Sequence, residues 1–408
     1  MRKFLFAFLV ATLALAAQSR PRIRAVTVFL EIDRNNYAER VRDAQQFLAA
    51  AKSAFNSAGF EGANGRITTQ PFPEWTKGMS RQDAIALVRN LREATPRTAL
   101  NIGPAMLNDD DDAANVALLI DIMSAVNVDA NLVMADEKGI HWHAIQEAAK
   151  LIKALGANTP HGDAGFNFAA IAMMKPYGPY YPGSYHVGKG HAFAIAMEGA
   201  SVVADVFAKY HEPREAERQL SQAFGKYAAE AEAVARSLES KTGWTYEGID
   251  ATPAPSLQNS IAAAIESFTG GPFGSSGTLL ASGIITRAVQ STGVKRVGYS
   301  GLMIPVMEDK LLASRWAEGT YSLDSILAYS AVCAGGVDTV PLAGDVTVEQ
   351  ISRILSDVAW LAWKWNKPLA ARLMPAPGKK AGDRTEFSGA GLANTMVQGL
   401  PGSGKVLR

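Results

Sequence analysis

Strand-like and helix-like segments alternate along nearly the whole chain. Residues 23–32 (IRAVTVFLEI) are rich in β-branched side chains and predict a strand, and residues 37–58 have the apolar spacing of an amphipathic helix. The same alternation continues to a helix at residues 348–364 and a last buried strand at residues 369–374. This pattern is typical of a parallel sheet wrapped by helices, either open or closed as a barrel. No linker-like boundary interrupts it, so one α/β domain over residues 18–399 is predicted, with a mobile polar tail at 400–408.

One stretch, residues 298–338, carries much of the candidate chemistry. It predicts a strand at 301–306, then the acidic pair Glu308 and Asp309, a helix at 322–334, and Cys333 just before two glycines. Further upstream, residues 204–240 are expected to be largely helical, with a break at Pro213.

Composition excludes some classes of function. Hydrophobic residues make up 48% of the 408 residues and charged residues 19%, so the chain can bury a full core. The net charge is +1 and no long basic block is present, which argues against nucleic acid as a partner.

The N-terminus has the three parts of a secretory signal. Arg2 and Lys3 give a positive start, residues 4–15 are apolar, and Ala14 and Ala16 are spaced as a cleavage site. An uncleaved anchor would show a similar pattern. We expect an exported protein, with a signal peptide at residues 1–17 and no membrane association after cleavage.

Two interpretations of the single cysteine, Cys333, are open. One cysteine cannot form an internal disulfide, so Cys333 is either buried and inert or a free thiol kept for a purpose. Burial is favoured by base rates, because free cysteine is among the most buried residue types.

Metal binding is a weaker hypothesis. The four aspartates at 109–112 are interpreted as the start of a helix at 113–126, because a calcium loop would need alternating ligands and a turn glycine. His143 and Glu147 have a spacing that metal ligands use, whereas His141 and His143 would point to different faces of a helix. No metal ligand is therefore assigned.

The loop at residues 177–191 (YGPYYPGSYHVGKGH) is long and rich in Gly, Pro and Tyr. Loops of this type often hold binding residues, so Tyr185 and His186 are candidates, although the tyrosines could equally pack as a lid. Asp250 ends a short strand at 248–250, where ligands bind in many α/β folds.

At these motifs the chain resembles uncharacterised protein family 0210, also called domain of unknown function 711. The matching segments are residues 23–32, 100–103, 183–186, 248–255, 301–309, 333–338 and 372–375, with Glu386 and Phe387 after them. The resemblance implies a fold similar to the ten-stranded α/β barrel of pyruvate formate-lyase and anaerobic ribonucleotide reductase, with Cys333 on a finger loop inside the barrel. Arg296 to Tyr299 is similar to a glycyl-radical motif but one residue short, and Gly298 is interpreted as a turn glycine.

These observations lead to two main hypotheses. In the first, an enzyme without a radical acts on a small polar metabolite, with Cys333 as nucleophile or general acid and His186 as its base. Asp250, Glu308, Asp309 and Tyr185 would contact the substrate, and Arg372 would hold an anionic group. In the second, an exported binding protein captures a small ligand under the tyrosine-rich loop without a reactive thiol. The cofactor is left unknown, and a homo-oligomer is compatible with either hypothesis.

Overall fold

A single mixed sheet of ten strands forms the centre of the molecule. The computed structural model describes residues 19–188 and 190–401, so the predicted signal peptide and residues 402–408 of the predicted tail lie outside the described residues. The strands are β1 (Arg22–Leu30), β2 (Gly62–Thr69), β3 (Ala99–Pro104), β4 (Asp129–Asp136), β5 (Gly139–Ile140), β6 (Phe168–Ala172), β7 (His191–Glu198), β8 (Thr245–Asp250), β9 (Gly336–Ala343) and β10 (Leu369–Ala376).

Helices connect most of these strands, as the alternating pattern predicts. They are α1 (Tyr37–Ser57), α2 (Phe72–Thr76), α3 (Arg81–Ala94), α4 (Ala114–Ala125), α5 (Trp142–Asn158), α6 (Ala200–Phe207), α7 (Pro213–Thr242), α8 (Ile261–Thr269), α9 (Thr278–Gln290), α10 (Lys310–Glu318), α11 (Leu323–Ser330) and α12 (Val348–Trp365), with a 3-10 helix at Pro160–Asn167. None of the helices in the described ranges is long and apolar enough to cross a membrane.

The strand order is β8-β7-β1-β2-β3-β4-β6-β10-β9, with β5 paired to β4. The five central strands β1, β2, β3, β4 and β6 are parallel, whereas β7 and β10 join them in antiparallel fashion. The outermost strands β8 and β9 run parallel to β7 and β10. The prediction of a mainly parallel α/β sheet with ten strands is therefore confirmed.

The segment at residues 296–306 links the two edges of the sheet. Arg296 forms an isolated bridge with Ile249 of β8, and Pro305 forms one with Asp338 of β9. The strand predicted at 301–306 is wrong, because the backbone there bonds largely to side chains and turns: Leu302 N–H, for example, donates to Thr286 Oγ1 at 3.2 Å. Residues 299–306 are buried, but the segment makes only isolated bridges and no ladder.

Two helix predictions also need correction. The helical stretch predicted at 204–240 is broken as expected, but the break lies before Pro213: Pro213 is the first residue of α7, and Glu212 caps it by accepting from Glu215 N–H at 2.7 Å. The helix predicted at 322–334 ends at Ser330, and a turn carries the chain on to Cys333.

The sheet has apolar clusters on both sides. The larger one packs strands against helices and includes the side chain of Cys333. The smaller one lies on the inner side of the sheet, where the small residues Ala25, Ala169 and Ala196 leave room for Tyr180 and Tyr299. Side chains of this inner face come from strands throughout the sheet, so it defines an interior space.

A loop enters this interior and is held by polar side chains of the central strands. Thr27 Oγ1 donates to Pro179 O at 2.8 Å, and Asn101 Nδ2 and Asn131 Nδ2 donate to Pro182 O at 2.8 and 2.9 Å. Since these donors are buried, the bonds fix the loop firmly in the interior. The tyrosine-rich loop is thus part of the core of the molecule.

Candidate functional site

A cavity of about 280 Å³ lies in the interior, near the amino ends of the central strands. At roughly 30 Å³ per molecule this is room for about nine waters, the size of a small metabolite. Its charged and aromatic lining residues are Arg24, Arg66, Asp129, Phe166, Tyr180, Tyr181, Tyr299, Glu308, Asp338 and Arg372. Three arginines and three carboxyl groups therefore face one small space.

Irregular strand pairing helps to place two of the arginines. The register between β1 and β7 shifts between Ile23 and Ala25, and the register between β9 and β10 shifts between Ala371 and Leu373. Arg24 and Arg372 are the residues inside these two shifts. Such bulges can redirect a side chain relative to strict alternation, and they are common next to functional sites.

Arg24 and Arg372 are neutralised by carboxylates. Arg372 Nε lies 2.6 Å from Asp338 Oδ1, and Arg372 also pairs with Glu308. Arg24 Nη2 lies 3.3 Å from the other oxygen of Glu308. Burial alone would lower the pKa of Arg372. The negative charges of Asp338 and then Glu308 have the larger combined effect, so the pKa of Arg372 is raised. These ions form a rigid, paired wall.

Arg66 is different, because no described carboxylate forms an ion pair with it. Its Nη1 donates to Pro179 O at 3.2 Å, and its guanidinium lies 4.8 Å from the centre of the Tyr181 ring. Burial, and then the positive charge of Arg24, lower the pKa of Arg66. A ligand anion would relieve both costs, so Arg66 is suited to hold one.

Asp129, the first residue of β4, is the matching acid. Burial raises the pKa of its carboxyl group to about 7, although Arg66, Arg372 and Arg92 oppose this through space. Attraction by these arginines is the only opposing influence, and no hydrogen bond lowers this pKa. A carboxyl group that is half protonated near neutral pH can act as a general acid or base.

Of the residues predicted for the site, the structure brings Arg372 and Glu308 to the cavity. Tyr185 is buried in the inner cluster but does not line the cavity, and its hydroxyl donates to Met174 O at 2.8 Å. Asp250 and Asp309 are both fully buried and do not line the cavity.

Asp250 fixes the segment that links the sheet edges. Its carboxylate accepts hydrogen bonds from the backbone N–H groups of Thr252, Tyr299 and Ser300 at 2.7–3.0 Å. Burial raises the pKa of Asp250 to about 6 against these bonds. Gly298 adopts φ +66° beside this carboxylate, where a Cβ would collide with Asp250. The position therefore requires glycine for a turn.

Asp309 connects two helix N-termini. It caps α10 by accepting from Leu311 N–H at 2.9 Å, and it also accepts from Ile261 N–H, the first residue of α8, at 2.7 Å. Both partial positive charges favour the carboxylate. The hydrogen bonds of the Asp309 carboxylate therefore serve a structural role.

Cys333 and His186 are not paired. Among the described residues, neither nitrogen of His186 has a hydrogen-bond partner, and its ring packs against Phe29 and Tyr177 near the carboxyl end of β1. Burial lowers the pKa of His186 to about 4. Cys333 lies in the outer cluster, and burial raises the pKa of its thiol to about 11, with Lys367 opposing. The interior loop is the one at 179–185, on which Cys333 does not lie.

The acidic run and the histidines near it have local roles. Asp112 Oδ1 accepts from Ala114 N–H at 2.8 Å at the start of α4, and Asp109 Oδ1 accepts from Ala144 N–H at 2.9 Å in the first turn of α5. His141 lies 3.4 Å from Asp136, and His143 is exposed. Within the part of the chain that the structure describes, no group of three or more His, Cys, Asp or Glu side chains could hold a metal ion.

Sequence reasoning missed Arg24, Arg66, Asp129 and Asp338. A signal was present for Arg24, which is a charge inside an otherwise apolar strand pattern, and such a charge needs a buried partner. Asp129 gives no such signal, because an acid at a strand start reads as a turn residue.

The fold and the site together define a class: a mixed α/β protein with a charged cavity on the inner side of its sheet. The family described as "Uncharacterised ACR (DUF711)" matches residues 15–388, and the chain belongs to that family. The predicted membership is thereby confirmed.

Relatives and one solved structure are similar to this chain. A UPF0210 protein of Pyrobaculum aerophilum is 32% identical over 67% of this chain and 63% of its own length. A UPF0210 protein of Methanopyrus kandleri is 28% identical over 90% of this chain and 88% of its own. The anaerobic ribonucleotide reductase of Thermotoga maritima, solved with dATP and CTP, is 10% identical, with a TM-score of 0.43 over 92% of this chain and 79% of that one.

Proposed function

We propose that this protein is an enzyme that binds a small anionic metabolite in the interior cavity and moves a proton with Asp129. The observation that carries the proposal is that two suitable groups line one cavity: Arg66 forms no ion pair with a described carboxylate, and Asp129 has a pKa of about 7. Arg66 would hold the anionic group of the substrate, and Asp129 would accept or donate the proton. No glycyl radical is needed, and Gly298 serves as a turn residue.

The chemistry that fits is proton abstraction next to a carboxylate or carbonyl group. Removing such a proton leaves negative charge on the substrate, and a guanidinium held in a dry cavity stabilises that charge without reorganising. Arg24 and Arg372 with their carboxylates would shape the cavity and keep its net charge low. Tyr180 and Tyr181 would exclude water from the remaining wall.

The proposal gives Asp129 the proton-transfer role for which Cys333 and His186 were candidates. A thiol whose pKa is about 11 carries little thiolate at neutral pH, and an imidazole whose pKa is about 4 is a weak base there. Arg372 keeps its predicted place beside the ligand, as part of the paired wall.

The second hypothesis, a ligand-binding protein without turnover, is favoured by the same Arg66. Such a protein would need the cation and the enclosed cavity but would have no use for a titrating acid. Proton exchange on a bound ligand separates the two, because only an enzyme should show an exchange that slows when Asp129 is replaced.

The test is hydrogen exchange followed by NMR in D₂O. The purified protein is incubated with a panel of small 2-oxo, 2-hydroxy and 2-amino carboxylates, and the loss of the α-proton signal is measured. We expect exchange with at least one member, slowed about 10²- to 10⁴-fold by Asp129→Asn, which is the usual contribution of a general acid or base. Arg66→Gln should weaken the affinity for that member about 10- to 100-fold, since it removes a charged hydrogen bond.

Asp110→Asn is the matched control, because it removes the same charge at an exposed position of the acidic run. It should leave both exchange and affinity unchanged. If the panel binds through Arg66 but no member exchanges, the protein is a binding protein and the enzyme proposal fails.

We also propose that the protein is exported, from the signal-like pattern at residues 1–17. Expression of the full chain in a bacterial host, followed by N-terminal sequencing of each cell fraction, tests this. A chain that starts at Ala17 or Gln18 outside the cytoplasm is expected, and an intact Met1 in the cytoplasm would overturn it.

A further inference from the structure

A second concave region adjoins the interior cavity. This outer groove, about 430 Å³, lies between the end of α4, the 3-10 helix Pro160–Asn167 and a loop that contains Gly389 and Leu392. Phe166 and Asn167 line both the groove and the cavity. The two spaces therefore share these two residues in their walls.

The dividing wall is held from both sides. On the cavity side, the Arg372 guanidinium lies 4.6 Å from the centre of the Phe166 ring, and its Nη1 donates to Phe166 O at 3.4 Å. On the groove side, Asn167 Nδ2 donates to Asn127 Oδ1 at 3.1 Å. Neither residue is fully buried, so a ligand could pass between the two spaces along them.

The groove has far fewer charged groups than the cavity. Its one acid, Asp163, is engaged by the backbone N–H of Ser388 at 3.0 Å and by the Ser388 hydroxyl. The hydrogen bond between the two asparagines engages the Asn167 amino group and the Asn127 oxygen. Among the described contacts, the Asn167 oxygen and the Asn127 amino group are left free. An acceptor and a donor side by side match an amide group.

We propose that the substrate has an anionic head, bound in the cavity, and a neutral amide-bearing tail that lies in the outer groove against Phe166 and Asn167. The substrate class is thus an N-acylated or peptide-like small carboxylate. This inference rests on the proposed function, because it takes the cavity as the place where the anionic group binds.

Isothermal titration calorimetry with a graded series of ligands tests the inference. The series is acetate, N-acetylglycine and N-acetylglycylglycine, which keep one carboxylate and add amide units. We expect the affinity to rise by roughly tenfold or more from the first to the last member, because each group that fits a pocket is worth about that factor.

Two matched variants test whether the gain in affinity comes from the groove. Ser124 lines the groove, is exposed, and donates from its hydroxyl to the carbonyl four residues earlier at 2.7 Å. Ser240 makes the same local bond at 3.0 Å on α7 and is also exposed. Ser124→Trp should fill the groove, so that the longest ligand binds at most about twofold more tightly than acetate, while the affinity for acetate itself is unchanged. Ser240→Trp should change neither the gain in affinity nor the affinity for acetate.

The titrations distinguish a failure of this inference from a failure of the proposed function. If acetate binds and is weakened by Arg66→Gln but the longer ligands bind no better, or if Ser124→Trp leaves their gain intact, the groove has no role and only this inference falls. If no member binds, or if acetate binding is insensitive to Arg66→Gln, the proposed function falls and this inference falls with it.

Discussion

The two ends of the interior hold buried titratable groups in opposite electrostatic surroundings. At the cavity end, Arg66 and Asp129 stand among paired ions. At the other end, His186 packs against the rings of Phe29 and Tyr177, and neither of its nitrogens has a hydrogen-bond partner among the described residues. Arg24 and Phe29 mark the two ends on the same strand, five residues or roughly 17 Å apart.

The comparison shows that one physical cause has opposite consequences for an acid and a base. Burial raises the pKa of Asp129 to about 7 and lowers that of His186 to about 4. At neutral pH the histidine is therefore fixed in its neutral form, whereas the aspartate exchanges its proton. Of these two groups, only Asp129 at the cavity end titrates near pH 7.

The largest stability effect should come from breaking the ion network. Arg372→Ala leaves Asp338 and one oxygen of Glu308 without their buried partner, so we expect a loss of about 3–5 kcal/mol in the free energy of unfolding. Tyr185→Phe removes one hydrogen bond to Met174 O and should cost about 1 kcal/mol. Urea unfolding at pH 7 compares the two. Equal losses would contradict the contrast between charged and neutral surroundings.

The next effect is a pH dependence that belongs to His186. Its pKa is about 4 in the folded chain against an ordinary 6.5, so between these values the unfolded chain binds more protons. Stability is therefore fully present above pH 6.5 and falls by about 3 kcal/mol as the pH drops to 4. His186→Phe should remove this component of the acid sensitivity. His143→Phe, at an exposed site on α5, is the control and should leave it in place.

Asp129 should show the opposite slope, with a smaller size because it faces the cavity and keeps part of its hydration. Its folded pKa of about 7 lies above the ordinary 3.8, so the folded chain binds more protons between these values and stability falls as pH rises through that window. Relative to wild type, Asp129→Asn should thus gain stability from pH 4 to pH 7. A difference that stays constant across this range would mean that the carboxyl titrates normally.

Much of the fold could be predicted from the sequence, because the elements repeat their signals. Strand β1 and helix α1 each carry a full apolar period, and Ser80 and Thr347 cap their helices through side-chain bonds that sequence rules anticipate. The strand predicted at 301–306 was wrong. An apolar run indicates that a segment is buried, but it does not indicate whether the backbone hydrogen-bonds to a neighbouring strand or to side chains such as Thr286.

The site was less predictable, because it depends on distant residues meeting. Arg24, Arg66, Asp129 and Arg372 lie on four strands spread over the chain, and no local pattern joins them. Two residues that stood out in the sequence have structural roles instead: Asp309 caps helices and Asp250 fixes a turn. Asp129 could be recognised only from its burial and its neighbouring charges.

The smallest expected effect concerns Cys333, which packs in the larger apolar cluster and does not line the cavity. Cys333→Ala should cost roughly 1–2 kcal/mol through lost packing, at the low end for core truncations, and should leave ligand affinity unchanged. Because burial raises the pKa of the thiol to about 11, iodoacetamide should alkylate the folded protein very slowly between pH 5 and 9 and rapidly once urea unfolds it. Fast alkylation of the folded chain at pH 7 would show an accessible thiolate, and a group that does not line the cavity would then also titrate near pH 7.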